Sequence, residues 1–436
     1  MTIYNLVSFL GIFVIAGFAW LLSAQRKVVN WRVVFWGIGL QFLFAFFIFV
    51  VPVGTKFFMF VNRVVVKLLD SATAGTRFIF GRLALPPGTT NEAGETSLGY
   101  FLAFQGLSTI IFFAALIGIL YYLGILPFFV RLFARVFTRL MKVSGAESLC
   151  VSSEIFVGVE SSLVVRPHLV GMTRSELTTI LTAGMSTIAS TVLAVYVFLL
   201  QNEIPTIAGH LVSASFLAAP ATLVISKLLM PETGKPATLG IDVRPHYERE
   251  DNIIMAVING AKNGLQLLGG IITLLLAFLG LLALLDLILG WLGGNLNGWF
   301  GWNLDWSFKA FLGFIFYPFT LVLGVPPADA MSVAKVIGER TVATEVASYQ
   351  HLSQLLAQGA LQNPRSGLIA SYAICGFAHV ASLAIFVGGI GALAPSRYKD
   401  LSRLGFRALL AATLVGLMTA AVAGTFFTGS SILMGR

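Results

Sequence analysis

Apolar runs of about 20 residues recur along the chain, and no other feature limits its folding as strongly. Such runs occupy residues 4–24, 33–53, 100–126, 206–230 and 264–292. A run of this length crosses the hydrocarbon core of a bilayer as a helix, because backbone polar groups in lipid must be hydrogen-bonded within the protein. The sequence therefore predicts an all-α polytopic membrane protein.

The composition supports this class and argues against others. Hydrophobic residues make up 57% of the 436 residues and charged residues 11%, against about 25% charged in soluble domains. The net charge of +9 comes from Lys and Arg in short loops, where they set orientation, so nucleic acid is not an expected partner. Cys150 and Cys375 lie in separate apolar segments, so no disulfide framework is expected.

Basic residues in the first loop predict the orientation. Arg26, Lys27 and Arg32 separate the first two spans and place that loop in the cytoplasm, which leaves the N-terminus outside. Further spans are predicted at residues 175–201, 366–394 and 408–428, giving about eight transmembrane helices. Interfacial helices are predicted at residues 55–82, 127–142 and 308–325.

Two segments are too short or too polar to cross the membrane once. Residues 145–158 and 161–170 each fall short of the roughly 30 Å of hydrocarbon, so together they predict a re-entrant helical hairpin that enters and leaves on the cytoplasmic side. Residues 326–358 are amphipathic and predict a second hairpin that enters from outside. Non-helical backbone is tolerated at such tips where it lines a cavity.

The order of these elements indicates an inverted repeat. Span, interfacial helix, hairpin, broken span and span occur at 100–230 and again at 264–428, starting from opposite sides. Residues 1–99 then supply N-terminal scaffold helices and an interfacial helix, and residues 231–263 form a polar linker. Inverted repeats with discontinuous helices that meet at mid-membrane are typical of secondary transporters.

Carboxylates inside apolar sequence are the first candidates for the transport site. Glu147, Glu154 and Glu160 lie in or beside the first hairpin, and Glu345 lies near the middle of the second. A charge at the bilayer centre costs roughly 2.5–3.5 kcal/mol, so such residues usually face a cavity and handle ions or substrate. The structural alternatives are a cap or pairing within GAESL for Glu147, and ion pairs with the basic residues Arg166, His168, Arg174, Lys335 and Arg340 for the others.

Several runs also resemble a known family. The motifs GAESL, IFVG, RPHL, MTRSEL, TIA, GVP, SYAICGFA and IFVGGIGALAP are similar, in the same order over roughly residues 75–428, to those of the concentrative nucleoside transporters. The resemblance implies a multi-pass protein of the bacterial inner membrane, a homotrimer in membrane lipid, with a scaffold domain and a moving transport domain. It also implies import of a small-molecule nucleoside driven by Na⁺ or H⁺, with no other cofactor.

The resemblance also implies a substrate site. Its members are Gly158, Val159, Glu160, Val192, Glu345, Phe377, His379 and Ser382. At the first hairpin tip the family has Gln-Thr-Glu followed by Ala-Pro, whereas this chain has Gly158, Val159, Glu160, Ser161 and Ser162 and is one residue shorter. Glu160 is retained, and the amide that would pair with a base edge is missing. The sugar half is retained in Glu345 and Phe377, while His379 replaces an Asn.

A cation site is implied beside it. The family's sodium site corresponds to Glu154 in place of Asn, the carbonyl of Val157, the hydroxyl of Thr187 and the carbonyl of Ile188. A carboxylate at position 154 is able either to strengthen cation binding or to carry a proton itself, because burial without a cation favours the protonated form. Both sodium and proton coupling stay open at this point.

Other function classes fit the sequence less well. An intramembrane enzyme is not expected, because the sequence contains neither H-E-x-x-H nor G-x-S-x-G. A channel requires polar positions along whole helices, whereas the polar residues here cluster at two hairpins and two helix breaks. The remaining alternative is a carrier of the same fold for a different polar or sugar-containing solute.

Overall fold

The computed structural model describes residues 2–91, 94–158, 161–246 and 250–428, and within these ranges it consists of helices and connecting loops. Seven helical segments in the described ranges are long and apolar enough to cross a membrane. The predicted all-α, multi-pass architecture is confirmed.

Three helices precede the repeats: α1 (Ile3–Leu21), α2 (Trp31–Phe49) and α3 (Pro52–Phe80). The helices α1 and α2 are the predicted first two spans. The helix α3 has 29 residues, and its buried residues, among them Phe58, Leu69 and Ala72, lie on one side of it. Basic residues occur among the other positions. This pattern is that of the predicted interfacial helix.

The first repeat consists of α4 (Thr109–Tyr122), α5 (Ile125–Met141), α6 (Gly145–Glu154), α7 (Ser161–Val164), α8 (Arg174–Ser186), α9 (Ser190–Leu200) and α10 (Ile207–Leu229). One π-helical turn, Ala103–Leu107, leads into α4. The first hairpin is formed by α6 and α7, and the broken span by α8 and α9. Both α8 and α10 are buried along almost their whole length.

The second repeat has the same order of elements: α11 (Ile253–Phe300), α12 (Phe308–Val322), α13 (Pro327–Val342), α14 (Glu345–Ala357), α15 (Pro364–Ala373), α16 (Val380–Leu393) and α17 (Tyr398–Phe426). Here α13 and α14 form the second hairpin, and α15 and α16 the broken span. Each half of that broken span is shorter than a membrane crossing, so the span is not among the seven long segments. Counted together with them, it is the eighth span. The predicted inverted repeat is thus present.

Two predicted boundaries are wrong. The helix α11 contains 48 residues, about 72 Å at 1.5 Å per residue, and not residues 264–292 alone. It starts where the Asn252 side chain accepts a hydrogen bond from the Met255 amide, so the last residues assigned to the polar linker 231–263 are helical. The second error is similar, because α17 begins at Tyr398 and not at 408. In both cases an amphipathic helical lead-in resembles a polar loop in sequence.

Part of the linker packs against the first hairpin. The Gly145 amide donates to the Thr238 carbonyl at 2.8 Å, and the Ser144 and Thr238 hydroxyls lie 2.8 Å apart. Ser144 and Glu147 form a capping box at the start of α6, and the Glu147 carboxylate lies 2.7 Å from the Lys227 ammonium group on α10. Glu147 therefore fixes the base of the hairpin, as its structural alternative predicts.

Candidate functional site

The two broken helices cross at their breaks. The first break lies between Ser186 and Ser190, and the second between Ala373 and Val380. Gly376, in the second break, has a φ of +137°, and a Cβ atom there would lie 2.8 Å from the Ser186 carbonyl oxygen. Only glycine fits this combination of backbone conformation and close approach. The ends of four short helices therefore meet at one place inside the protein.

A cavity of about 490 Å³ adjoins this crossing, within the size range of small-molecule sites. Residues from both hairpins, both breaks and α11 line it. The predicted substrate residues among them are Gly158, Val192, Glu345, Phe377, His379 and Ser382, together with Val157 from the predicted cation site. Val159 and Glu160 lie outside the described residues.

Gly158 follows the end of the first hairpin's α6 and touches the break between α8 and α9. A Cβ atom at Gly158 would lie 2.5 Å from that of Ala189, which is too close for two carbon atoms. Gly158 is the last residue of the IFVG run that resembles the family, directly before the tip that lacks the family's amide. In the structure its small size allows the hairpin to contact the break directly.

Glu345 is held by two side chains from other elements. It begins α14 and is almost fully buried. The Tyr196 hydroxyl on α9 donates to its Oε1 atom at 2.9 Å, and His379 Nε2 lies 2.9 Å from Oε2. The sequence offered Arg340 and Lys335 as ion-pair partners. Arg340 instead donates to the Ala373 carbonyl at 2.7 Å, and Lys335 to Asp305 at 3.1 Å.

His379 caps a helix as well as facing Glu345. Its Nδ1 atom accepts a hydrogen bond from the Ser382 amide at 3.1 Å, as the N-cap of α16. Because Nδ1 is an acceptor, the ring proton of the neutral imidazole is on Nε2, which lies 2.9 Å from the Glu345 carboxylate. The Ser382 hydroxyl donates to the carbonyls of Phe377 and His379. It is engaged with the backbone of the break in this conformation.

Two residues of the predicted cation site, Glu154 and Thr187, are in contact. Glu154 ends α6 and is almost fully buried. Its carboxylate accepts hydrogen bonds from the Ser161 hydroxyl and, at 3.3 Å, from the Thr187 hydroxyl. Thr187 and Ile188 are both buried in the break after α8. An oxygen-rich, buried set of this kind suits a hard cation such as Na⁺, or a proton on the carboxylate.

The ion pairs proposed as alternatives for Glu154 are not found. Within the described ranges no basic side chain forms a salt bridge with its carboxylate, and Arg174 lies 3.4 Å from Asp400 instead. A buried carboxylate without a cationic side chain is costly unless it is protonated or binds an ion. This burial supports a role for Glu154 in ion handling.

Sequence reasoning missed two kinds of residue at this site. Tyr196 is not distinguishable in sequence from the apolar residues around it, because only its hydroxyl group reaches a partner. Asn263 and Gln266 also line the cavity. Two amides three residues apart in an apolar helix indicate a polar site. The predicted boundary between linker and span at residue 263 assigned the two amides to different elements.

Comparison with sequence families identifies relatives over most of the chain. The profile described as Na⁺ dependent nucleoside transporter C-terminus matches residues 210–424, and the corresponding N-terminus profile matches residues 10–83. A third profile, described as nucleoside recognition, matches residues 103–203. These three regions include both hairpins and both broken helices.

Individual relatives agree with the profiles. The chain is 36% identical to mouse solute carrier family 28 member 3 over 96% of its own length, and it spans 58% of the length of that relative. It is 37% identical to the uncharacterized transporter YutK of Bacillus subtilis, covering 96% of this chain and 98% of YutK.

Solved structures of CNTnw are similar throughout. CNTnw in an inward-facing substrate-bound state is 33% identical, with a TM-score of 0.85, over 97% of this chain and 98% of CNTnw. A CNTnw variant in an outward-facing state has a TM-score of 0.87 at 33% identity, covering 99% of this chain and all of that variant. The fold thus matches one that is known in two conformations.

Proposed function

The chain belongs to the concentrative, Na⁺-dependent nucleoside transporter family, and on this premise we propose that it is a symporter that imports nucleosides across the bacterial inner membrane, driven by Na⁺ or H⁺. The family is one of transporters, so the protein is not an enzyme. The observation that carries the proposal is the buried Glu345 carboxylate at the wall of the cavity. A carboxylate is an acceptor for the hydroxyl groups of a sugar.

The sugar is proposed to bind at Glu345 and His379. Glu345 is fixed by Tyr196 and His379 on two different helices, so its acceptor atoms are positioned before substrate arrives. A positioned charged acceptor strengthens a hydrogen bond to a hydroxyl group, because such bonds are stronger than those between neutral groups. Phe377 adds an apolar surface to the same part of the cavity.

The cation is proposed to act through the break between α8 and α9. Thr187 and Ile188 belong to the predicted cation site, while Ala189 and Val192 line the substrate cavity. A cation held by Glu154 and Thr187 would order the backbone that forms one wall of the cavity. Ordering by one ligand lowers the entropic cost of binding the second, which is a physical basis for coupling.

Uptake into proteoliposomes tests this function. We expect radiolabelled uridine or adenosine to accumulate when a Na⁺ or H⁺ gradient is imposed, and the gradient that supports accumulation identifies the coupling ion. We expect Glu345→Gln to abolish accumulation, since it removes the charged acceptor. Glu203→Gln, which changes an exposed carboxylate, is the matched control.

A different solute is the second candidate, and a specific observation favours it. The chain lacks the Gln-Thr pair of the hairpin tip, which the resemblance assigns to the nucleobase. If folded protein accumulates no nucleoside under either gradient, nucleoside import is refuted and a carrier for another sugar-containing or polar solute is favoured. A panel of sugars and nucleobases in the same vesicles then identifies its class.

A further inference from the structure

The rotation of α11 about its own axis is set by its contact with α4. Ala256, Gly260 and Gly264 follow one another at intervals of four residues along α11. A Cβ atom at Gly260 would lie 2.7 Å from the Ala114 carbonyl oxygen, and one at Gly264 would lie 2.8 Å from the Ala114 Cβ atom. Small residues at this spacing allow two membrane helices to approach closely. The two helices are therefore in close backbone contact along this stripe.

The neighbouring stripe of α11 faces the cavity. Asn263, Gln266, Gly270 and Leu274 are spaced by three or four residues, so they lie on one face of the helix, and all four line the cavity that holds Glu345. This face contributes two polar side chains, both of them amides. The packing of Gly260 and Gly264 against α4 fixes the direction in which this face of the helix points.

The two amides are available to a ligand. The side chains of Asn263 and Gln266 are exposed, and among the described residues neither has a hydrogen-bond partner in the protein. Each amide carries a carbonyl acceptor and two N–H donors. A ligand in the cavity therefore meets amide donors and acceptors that no described protein group occupies.

We propose that Asn263 and Gln266 form the subsite that reads the nucleobase edge. The inference rests on the proposed nucleoside transport and specifies how the substrate is selected. A side-chain amide pairs with a base edge that has a donor beside an acceptor, as Asn and Gln do with adenine in DNA complexes. The sugar end of the substrate is held by Glu345 and His379, so the base extends toward another wall of the same cavity.

This subsite replaces an interaction that the first hairpin does not supply. Gly158, directly before the hairpin tip, has no side chain, and it packs against Ala189 at the break. The tip lacks the Gln-Thr pair, whereas α11 places two amides at the cavity. Because α11 packs against α4 while Glu345 belongs to the second hairpin, base and sugar are bound by different elements. Base selectivity and sugar affinity are then separable by mutation.

The test measures binding of nucleoside pairs to the purified protein by isothermal titration calorimetry. Adenosine is compared with purine riboside, and cytidine with 2-pyrimidinone riboside, because each second member lacks the exocyclic amine. We expect the wild type to prefer the complete base edge in at least one pair by about tenfold. We expect Asn263→Leu and Gln266→Met, which keep side-chain size, to reduce that preference to below about threefold.

Two controls distinguish base recognition from a general loss of binding. The preference for adenosine over 2′-deoxyadenosine should stay within about twofold of the wild type in both variants, since Glu345 and His379 are unchanged. Asn295→Ala removes an exposed amide at the far end of α11 and should leave every ratio unchanged. Thermal unfolding curves establish that the variants are folded.

The outcomes separate this inference from the proposed function. If the wild type binds nucleosides but both variants keep its preference for the complete base edge, the subsite is refuted and nucleoside transport stands. If the wild type binds nucleosides without any preference within either pair, the subsite is also refuted. If folded wild type binds no nucleoside, both proposals are overturned.

Discussion

His379 links the backbone of α16 to the candidate sugar site. Its Nδ1 atom caps the helix and its Nε2 atom faces Glu345. We expect His379→Ala to lower stability by about 1 kcal/mol, the typical cost of losing an N-cap. We expect His379→Asn to retain stability, because Asn is among the best N-cap residues, and to retain transport, since an amide also donates to a sugar.

Thermal unfolding and uptake measured on the same preparations check this pair of variants. The expected order of apparent melting temperature is wild type and His379→Asn together, with His379→Ala about one degree lower. If His379→Asn is as unstable as His379→Ala, the capping role is refuted. If His379→Asn is stable but inactive, the imidazole itself is required by the substrate.

Glu154 provides a second prediction at this scale. We expect Glu154→Gln to reduce gradient-driven accumulation at least about tenfold, because the amide is uncharged and neither holds a cation as strongly nor carries a proton. Its oxygen still accepts the hydrogen bond from Ser161, so the hairpin should fold and bind nucleoside in the absence of a gradient. Accumulation equal to wild type under both gradients would contradict the assignment.

The kinds of chemistry at the site were predictable from sequence, but the pairing of residues was not. Carboxylates inside apolar runs identify Glu154 and Glu345 on energetic grounds alone. Tyr196 has no comparable signal, because a Tyr in a buried helix is ordinary. Which side chain meets Glu345 depends on the crossing of two broken helices, and that crossing is a property of tertiary packing.

At the scale of elements, one side chain joins four separate segments. Arg365, at the start of α15, donates from Nε to the Gly324 carbonyl at 2.9 Å. Its Nη2 atom lies 3.0 Å from the Tyr4 carbonyl oxygen, 2.6 Å from the Ser8 hydroxyl and 2.8 Å from the Gly424 carbonyl oxygen. The guanidinium group thus joins α1, the loop before α13, and the end of α17, where carbonyls lack helical partners.

We expect Arg365→Ala to lower the free energy of unfolding by about 2–4 kcal/mol, because buried carbonyls would lose a charged donor. Arg365→Lys should also destabilise the protein, since a single ammonium group does not match the geometry of the planar fork. Thermal unfolding in detergent measures both effects. Arg403→Ala, at an exposed position of α17, is the control, and equal melting temperatures for all three variants would refute the role of Arg365.

Element types followed from length and polarity, whereas some element ends did not. Residues 145–158 and 161–170 are each too short for a span, and this alone predicts a hairpin. The start of α11 at Ile253 was missed because Asn and Lys in that stretch suit both a loop and an amphipathic helix. The ambiguity is resolved by packing, since Ala256 and Gly260 contact α4.

At the scale of the whole molecule, the exposed apolar length of α11 needs a surface that covers it. About 20 residues suffice to cross the hydrocarbon core, and α11 has 48. Large apolar side chains along it are exposed, among them Leu276 at 74%, Leu287 at 71% and Trp299 at 79%. Lipid covers such residues only within the depth of the bilayer, so the remaining length requires another protein surface.

We propose that other copies of this chain cover α11, in the homotrimer that the family resemblance implies. Native mass spectrometry of the detergent-purified protein should then give a mass of about three times the 46.9 kDa chain. Leu276→Arg combined with Leu287→Arg should shift the protein toward single chains, because buried unpaired charge opposes association. Phe78→Arg, at a 92% exposed position of α3, should leave the mass unchanged. A single-chain mass for the wild type, or equal effects of the α3 and α11 substitutions, would exclude an interface along α11.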